Sequence, residues 1–145
     1  VAKTIITTND RRSNPLNVGG FSITVLASES ETDGYEIFHS EGMEGKGPGP
    51  HYHPWDESLY ITKGQVLCGV GEEEILASPG TLVHIPAGTV HWFRFGQDGG
   101  EFISMTSKGN ASEMFTAFSK GINWESPDRE ELVELAAKHG QVVID

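Results

Sequence analysis

The segment GPGPHYHPWDESLYITKG places His51, His53 and Glu57 ahead of Gly64, and a second segment, GTLVHIPAGTVHWF, carries Gly80, Pro86, Gly88 and His91. In an extended strand successive side chains alternate faces, so His51 and His53 point the same way and can reach one ion together. Glu57 shares their parity, and beyond the Pro54-Trp55 bend it can add a hard oxygen ligand. A turn ahead of His91 aims its imidazole inward from a different strand. Three imidazoles and one carboxylate suit one divalent transition metal, whether manganese, iron, nickel, copper or zinc, and disfavour calcium or magnesium, which want oxygen ligands. Four protein ligands leave positions open for water, a substrate oxygen or O₂.

Other candidates are weaker. Asp56 is a rival carboxylate, but its parity turns it away from the two histidines. His39 and His84 lie on strands and read as core or surface histidines. His139, near the end of a helical pattern, reads as a partner for the helix dipole. Cys68, the only cysteine, sits in an apolar run and reads as a buried strand residue. Without a second cysteine there is neither an intramolecular disulfide nor a thiolate cluster. Alternation puts Leu59, Ile61, Phe93 and Phe95 on the inward face with the ligands and turns Tyr60, Trp92 and Arg94 outward. The ligands are thus predicted to face an apolar pocket.

The elements that must hold these groups are short and β-rich, punctuated by 18 Gly and 7 Pro, as in a sandwich or barrel. Strands are predicted at Phe21 to Ala27, Tyr35 to Ser40, His51 to His53, Ser58 to Thr62, Gln65 to Val70, Glu74 to Ala77, Leu82 to Ile85, His91 to Phe95 and Phe102 to Thr106. Gly71-Glu72-Glu73 reads as a hairpin turn, as do Ser78-Pro79-Gly80 and Pro86-Ala87-Gly88. The last third changes character. Asn110 to Lys120 spaces Met114, Phe115 and Phe118 as a short amphipathic helix. A second helix is predicted with Ser126 as N-cap and Pro127 at its first position, burying Leu132, Leu135 and Ala136 before Gly140. Gln141 to Ile144 then adds a strand, to its own sheet or to a neighbour's.

At 145 residues the chain fits one domain, 1–145, with a barrel core at about 21–106 and a helical extension at about 110–145. A formal charge of -11 argues against nucleic acid and anionic lipid as partners, since both would repel this surface. A small-molecule substrate and further copies of the chain are the expected partners. No apolar run approaches a membrane span. The opening VAKTIITTNDRR lacks the apolar block and cleavage site of a signal peptide, so a soluble cytoplasmic protein is expected. An open barrel exposes edge strands, and Lys3 to Thr8 can pair with a neighbour, which predicts a homodimer.

The first segment resembles the first motif of the cupin superfamily: two His one residue apart, an acidic residue shortly after, and a downstream Gly. The second resembles the other cupin motif, with Phe95 where that family often has Asn. Fifteen residues separate Gly64 from Gly80, as suits a compact cupin. The resemblance covers roughly Phe21 to Thr106. More weakly, LAAKHGQVVI after the second helix looks like the ending of single-domain cupins related to quercetin dioxygenase. It implies an all-β fold, a small antiparallel barrel of the double-stranded β-helix or jelly-roll kind with one or two C-terminal helices. It further implies metal ligation by His51, His53, Glu57 and His91, and dioxygenase chemistry on a small aromatic or enolic compound with Glu57 as catalytic base. A metal-dependent isomerase or lyase, and a non-enzymatic metal- or ligand-binding cupin, are the alternatives.

Overall fold

The computed structural model describes residues 3–145. Among them nine strands occur: β1 (Leu16–Val18), β2 (Phe21–Ala27), β3 (Tyr35–Gly42), β4 (His51–Tyr52), β5 (Glu57–Val70), β6 (Glu73–Ala77), β7 (Leu82–Ile85), β8 (His91–Ser107) and β9 (Val142–Val143). Three α-helices accompany them, α1 (Glu29–Thr32), α2 (Ala111–Gly121) and α3 (Arg129–Lys138). None is long and apolar enough to cross a membrane.

The spine is the antiparallel ribbon of β5 and β8, registered from Glu57 opposite Thr106 to Val70 opposite His91. The register shifts between Ile61 and Lys63 and again between Gly64 and Val66. The two strands bend there without ending, because Gly64 and Gly99 adopt φ of +64° and +81°. A Cβ at Gly64 would stand 2.1 Å from the Gly99 carbonyl oxygen, so only glycine fits. The sequence reading broke this ribbon into four short strands at its glycines. The glycines bend continuous strands instead.

Each half of the ribbon carries its own neighbours. The half containing Glu57 pairs with β7 on one side, and on the other side β8 passes to β3, β2 and β1. In the half containing His91, β5 pairs with β6, and β8 passes to β4 and then β9. The sheet therefore curls into an antiparallel half-barrel whose interior collects the inward side chains. Phe21, Phe93, Phe95 and Phe102 fill its closed end, with ring centroids 5.2 to 5.8 Å apart. The tail joins its own sheet: His51 is in register with Val143, and the Ile144 N–H donates to the Pro50 carbonyl.

β1 and α1, of three and four residues, were not predicted, being too short for a period to show. Lys3 to Thr8 forms no strand, and the Thr7 hydroxyl donates to the Leu26 carbonyl of its own β2. The α3 N-cap is Asp128, whose carboxylate accepts from the N–H groups of Glu130 and Glu131. Ser126 and Pro127 precede the helix, since an Asp two residues on offers the stronger acceptor.

The start of α2 is held differently. Its N-cap, Asn110, has φ +57° and makes no side-chain cap. Two carboxylates from elsewhere in the chain replace it. Glu29 accepts from the N–H of Gly109 and of Asn110, at 3.3 and 2.8 Å. Glu36, fully buried on β3, accepts from the N–H of Glu29 and from both the N–H and the hydroxyl of Ser112. These acids satisfy donors that a helix start leaves open and sit at the positive end of its dipole. Replacing Glu36 by Ala strands three donors, and we expect a loss of about 3 kcal/mol of unfolding free energy. A lower urea midpoint at unchanged slope is the measurement that checks this.

Candidate metal centre

His51 lies on β4 and His53 just beyond it, while His91 opens β8 beside β4, in register with His51. Glu57 begins β5, at the far end of the ribbon from His91 by register. The bend folds the ribbon back on itself, so that Glu57 Oε1 stands 3.4 Å from His91 Nε2 and 3.1 Å from His53 Nε2. One ring nitrogen from each of the three histidines lies within 4.8 Å of the others, and all three side chains are buried. Glu57 lies beside this trio.

The orientation of each ring is fixed from behind. Nδ1 of His51 lies 2.8 Å from the Gly49 carbonyl oxygen, Nδ1 of His53 lies 2.9 Å from that of Trp55, and Nδ1 of His91 lies 2.9 Å from that of Thr89. A carbonyl only accepts, so each Nδ1 carries the proton and donates it. In the neutral ring each Nε2 is then a lone pair facing the interior. Trp55, buried, stacks on His53 at 4.4 Å between centroids and 10° between planes. Such outer bonds are what orient metal-binding imidazoles.

Electrostatics point the same way. His91 Nε2 is buried with no hydrogen-bond partner, because its approach to Glu57 has the distance of an ion pair without hydrogen-bond geometry. Glu57 Oε1 lies within hydrogen-bond distance of His53 Nε2 and within ion-pair distance of His91 Nε2, so without a metal a proton on the imidazole side balances the carboxylate, in the place a cation would take. Burial raises the Glu57 carboxyl, yet hydrogen bonding and positive charge from His53 and His91 outweigh it and hold it well below its usual range. Burial depresses His91, but the Glu57 carboxylate and the Thr89 carbonyl bring it above its ordinary value. His51, buried and close to His91, is pushed down to about 4 despite its bond to Gly49. Three inward lone pairs around an anion fit a divalent transition metal.

The trio borders a cavity of about 60 Å³. Leu59 and Phe93 line it, as the alternation predicted. Ile61 and Phe95 are buried on the same face without bordering the cavity, and Phe95 packs into the phenylalanine cluster. Ile23, Phe115 and Phe118 also border it, with Ser40, Ser104 and Gln141 as its other polar groups. These come from β2, β3, β8, α2 and the α3–β9 loop. The one sequence signal for them was the helical spacing of the α2 aromatics, which marked a face needing cover. Cys68 borders the cavity as well, its thiol pushed up to about 11 by burial and by the Glu57 charge.

The rival groups are employed elsewhere. Asp56 accepts from the Ala87 N–H, fixing the turn before His91. His84 bonds Ser58, and His39 bonds Glu101. His139 is the C-cap of α3. Arg94 is half-buried, its guanidinium donating to the carbonyls of Gly47, Pro48 and Phe93. It thereby pins the loop that leads into His51.

The binding prediction follows from the geometry. Changes behind a metal ligand cost 10- to 100-fold in affinity, so His51→Ala, which removes a donor outright, should weaken zinc binding by at least about 100-fold. A metal takes His91 Nε2 only when that nitrogen has lost its proton, and the metal-free His91 holds the proton above its ordinary value of 6.5. Zinc affinity should therefore rise from pH 6 to pH 8, with proton release greater at the lower pH. Calorimetry in buffers of different ionisation enthalpy measures both.

Comparison with known proteins supports the fold. Residues 38–104 match the family model described as Cupin domain. Over 72 residues the chain is 36% identical to the quercetin 2,3-dioxygenase of Bacillus subtilis (strain 168), covering 48% of this chain and 21% of that enzyme. The chain thus spans about a fifth of that relative's length. The structure of KdgF from Halomonas sp. superposes with a TM-score of 0.68 at 18% identity, over 77% of this chain and 99% of that one. A cupin 2 conserved barrel domain protein from Rhodopseudomonas palustris gives a TM-score of 0.56 at 26% identity, over 62% of each chain.

Proposed function

We propose that this chain, a cupin over residues 38–104, is a metal-dependent dioxygenase acting on a small aromatic or enolic oxygenated compound. The observation that carries the reading is the set of three inward imidazole lone pairs with Glu57 beside them, at the wall of an apolar cavity. The similarity to a quercetin 2,3-dioxygenase over 72 residues supports it.

In this reading His51, His53 and His91 hold the ion, with Glu57 as fourth ligand. A divalent ion there would supply Lewis acidity toward a substrate oxygen and bring O₂ alongside. Glu57 is placed to take the proton of a substrate hydroxyl, because its carboxyl is anionic and lies at the wall of the cavity. Deprotonation leaves an electron-rich enolate carbon, to which O₂ adds, and both oxygen atoms end in the product. The apolar wall excludes water that would compete for the site. Few polar groups converge on the inner cavity, and that weighs against a sugar isomerase or lyase, whose substrate needs a partner for each hydroxyl.

A homodimer belongs to the same proposal. On the outer face of the half-barrel Tyr60 lies opposite Leu82 in register, with Met105 two residues from Ile103, the other partner of Tyr60. Leu82 is 62% exposed, and Tyr60 and Met105 are each about half exposed. The acid on this face two residues from Ile103, Glu101, is paired with His39 and Lys63, in a chain of net charge -11. A second copy covers such a face without charge repulsion.

Two measurements check these proposals. Glu57→Gln keeps the three histidines while removing the base, and we expect metal content to persist and oxygen uptake with 3-hydroxyflavone to fall about 10²- to 10⁴-fold. Full turnover by this variant, or turnover of the unsubstituted protein under strict anaerobiosis, would overturn the reading. Leu82→Glu should convert a dimer to a monomer in sedimentation velocity at micromolar protein, leaving metal binding unchanged.

A further inference from the structure

The cavity beside the histidines, at about 60 Å³, holds about four water molecules by the usual measure, too little for the body of an aromatic compound. Outside it lies an open vestibule of about 610 Å³, within the size range of sites for small organic ligands. The loop Gly47 to Pro50 forms one side, and Phe118, Trp124, Leu132 and Val143 form the other. Nearly all of that second side belongs to the C-terminal extension. His51 and Gln141 border both spaces, so the vestibule adjoins the metal centre directly.

Gln141 is 8% exposed. Its backbone is fixed at the end of α3, where its N–H donates to the Ala136 carbonyl at 3.0 Å. Its side-chain amide makes no hydrogen bond with any other described residue, although it borders both spaces. The amide therefore has free donors and an acceptor to offer to whatever fills these spaces, whereas a leucine of similar size would present none. Arg129 at the vestibule rim is already paired with Asp145 at 2.6 Å, so its charge calls for no anionic ligand.

We infer that the C-terminal extension forms the outer half of the ligand site, where a neutral, planar aromatic compound lies against Trp124 and Leu132 and an oxygen it carries hydrogen-bonds the Gln141 amide. Gln141 is then a specificity-determining residue, separating oxygenated aromatics from hydrocarbons of the same shape. The inference rests on the aromatic or enolic substrate class proposed above.

The test is equilibrium binding under nitrogen, so that no oxygen-dependent turnover intervenes, followed by ligand emission. The probes are 3-hydroxyflavone and the oxygen-free 2-phenylnaphthalene. Gln141→Leu should weaken 3-hydroxyflavone about five- to tenfold, the size of one lost hydrogen bond, and leave 2-phenylnaphthalene within about twofold. Gln141→Asn, which keeps the amide but shortens its reach, should fall between. Trp124→Ala should weaken both probes and identifies the vestibule as the place of binding. Equal effects of Gln141→Leu on the two probes, no effect on either, or no binding of 3-hydroxyflavone by the unsubstituted protein would overturn the inference. Binding that depends on Gln141 without oxygen uptake in air would remove the proposed dioxygenase activity and leave this site standing.

Discussion

The closeness of Gly64 to the Gly99 carbonyl governs the rest of the molecule. Two strands of 14 and 17 residues cannot both run straight within a protein of this size and bury one face each. Where the backbones press together at the two glycines the ribbon folds over, and its opposite ends meet. Glu57 and His91 are far apart along the ladder and 3.4 Å apart in space for this reason alone. A side chain at Gly64 would have to push the strands apart, and the carboxylate would leave the histidines.

The centre so formed depends on how its rings are held, and the surrounding protein fixes them. Three backbone carbonyls commit each Nδ1 proton, Trp55 holds the His53 ring, and Arg94 pins the loop before His51. None of these contacts engages the Nε2 atoms that face Glu57. They prevent the rings from turning away from it. Donors held in place in advance need little further ordering when a cation enters, which is the usual logic of a metal centre built on rigid elements.

Strand positions and side-chain parity were legible in the sequence because the period of two is local. β2 and β7 fall where alternation put them, and Tyr60 faces out while Leu59 faces in. The fate of the ribbon was not legible, since glycine signals a break and a bend alike, and only the partner strand decides between them. The start of α2 failed for a related reason: its caps, Glu29 and Glu36, lie 81 and 76 residues upstream of the groups they bond, beyond any local cue. The three histidines could be recognised from two short motifs. The vestibule could not, because Gln141 and Trp124 gain meaning only when α2, α3 and β9 close over β4.

That closure bears on the order in which the molecule assembles. β4 is two residues long, and one of its two flanking strands is β9, with His51 opposite Val143. Contacts so distant along the chain form late in folding, after the local hairpins. On the ribosome the β5–β8 ribbon can fold as soon as it emerges, but the strand bearing His51 stays unsupported on that edge until residue 143 has been released. The trio of imidazoles is completed only at the last step, when zipping of the tail onto β4 fixes the His51 ring.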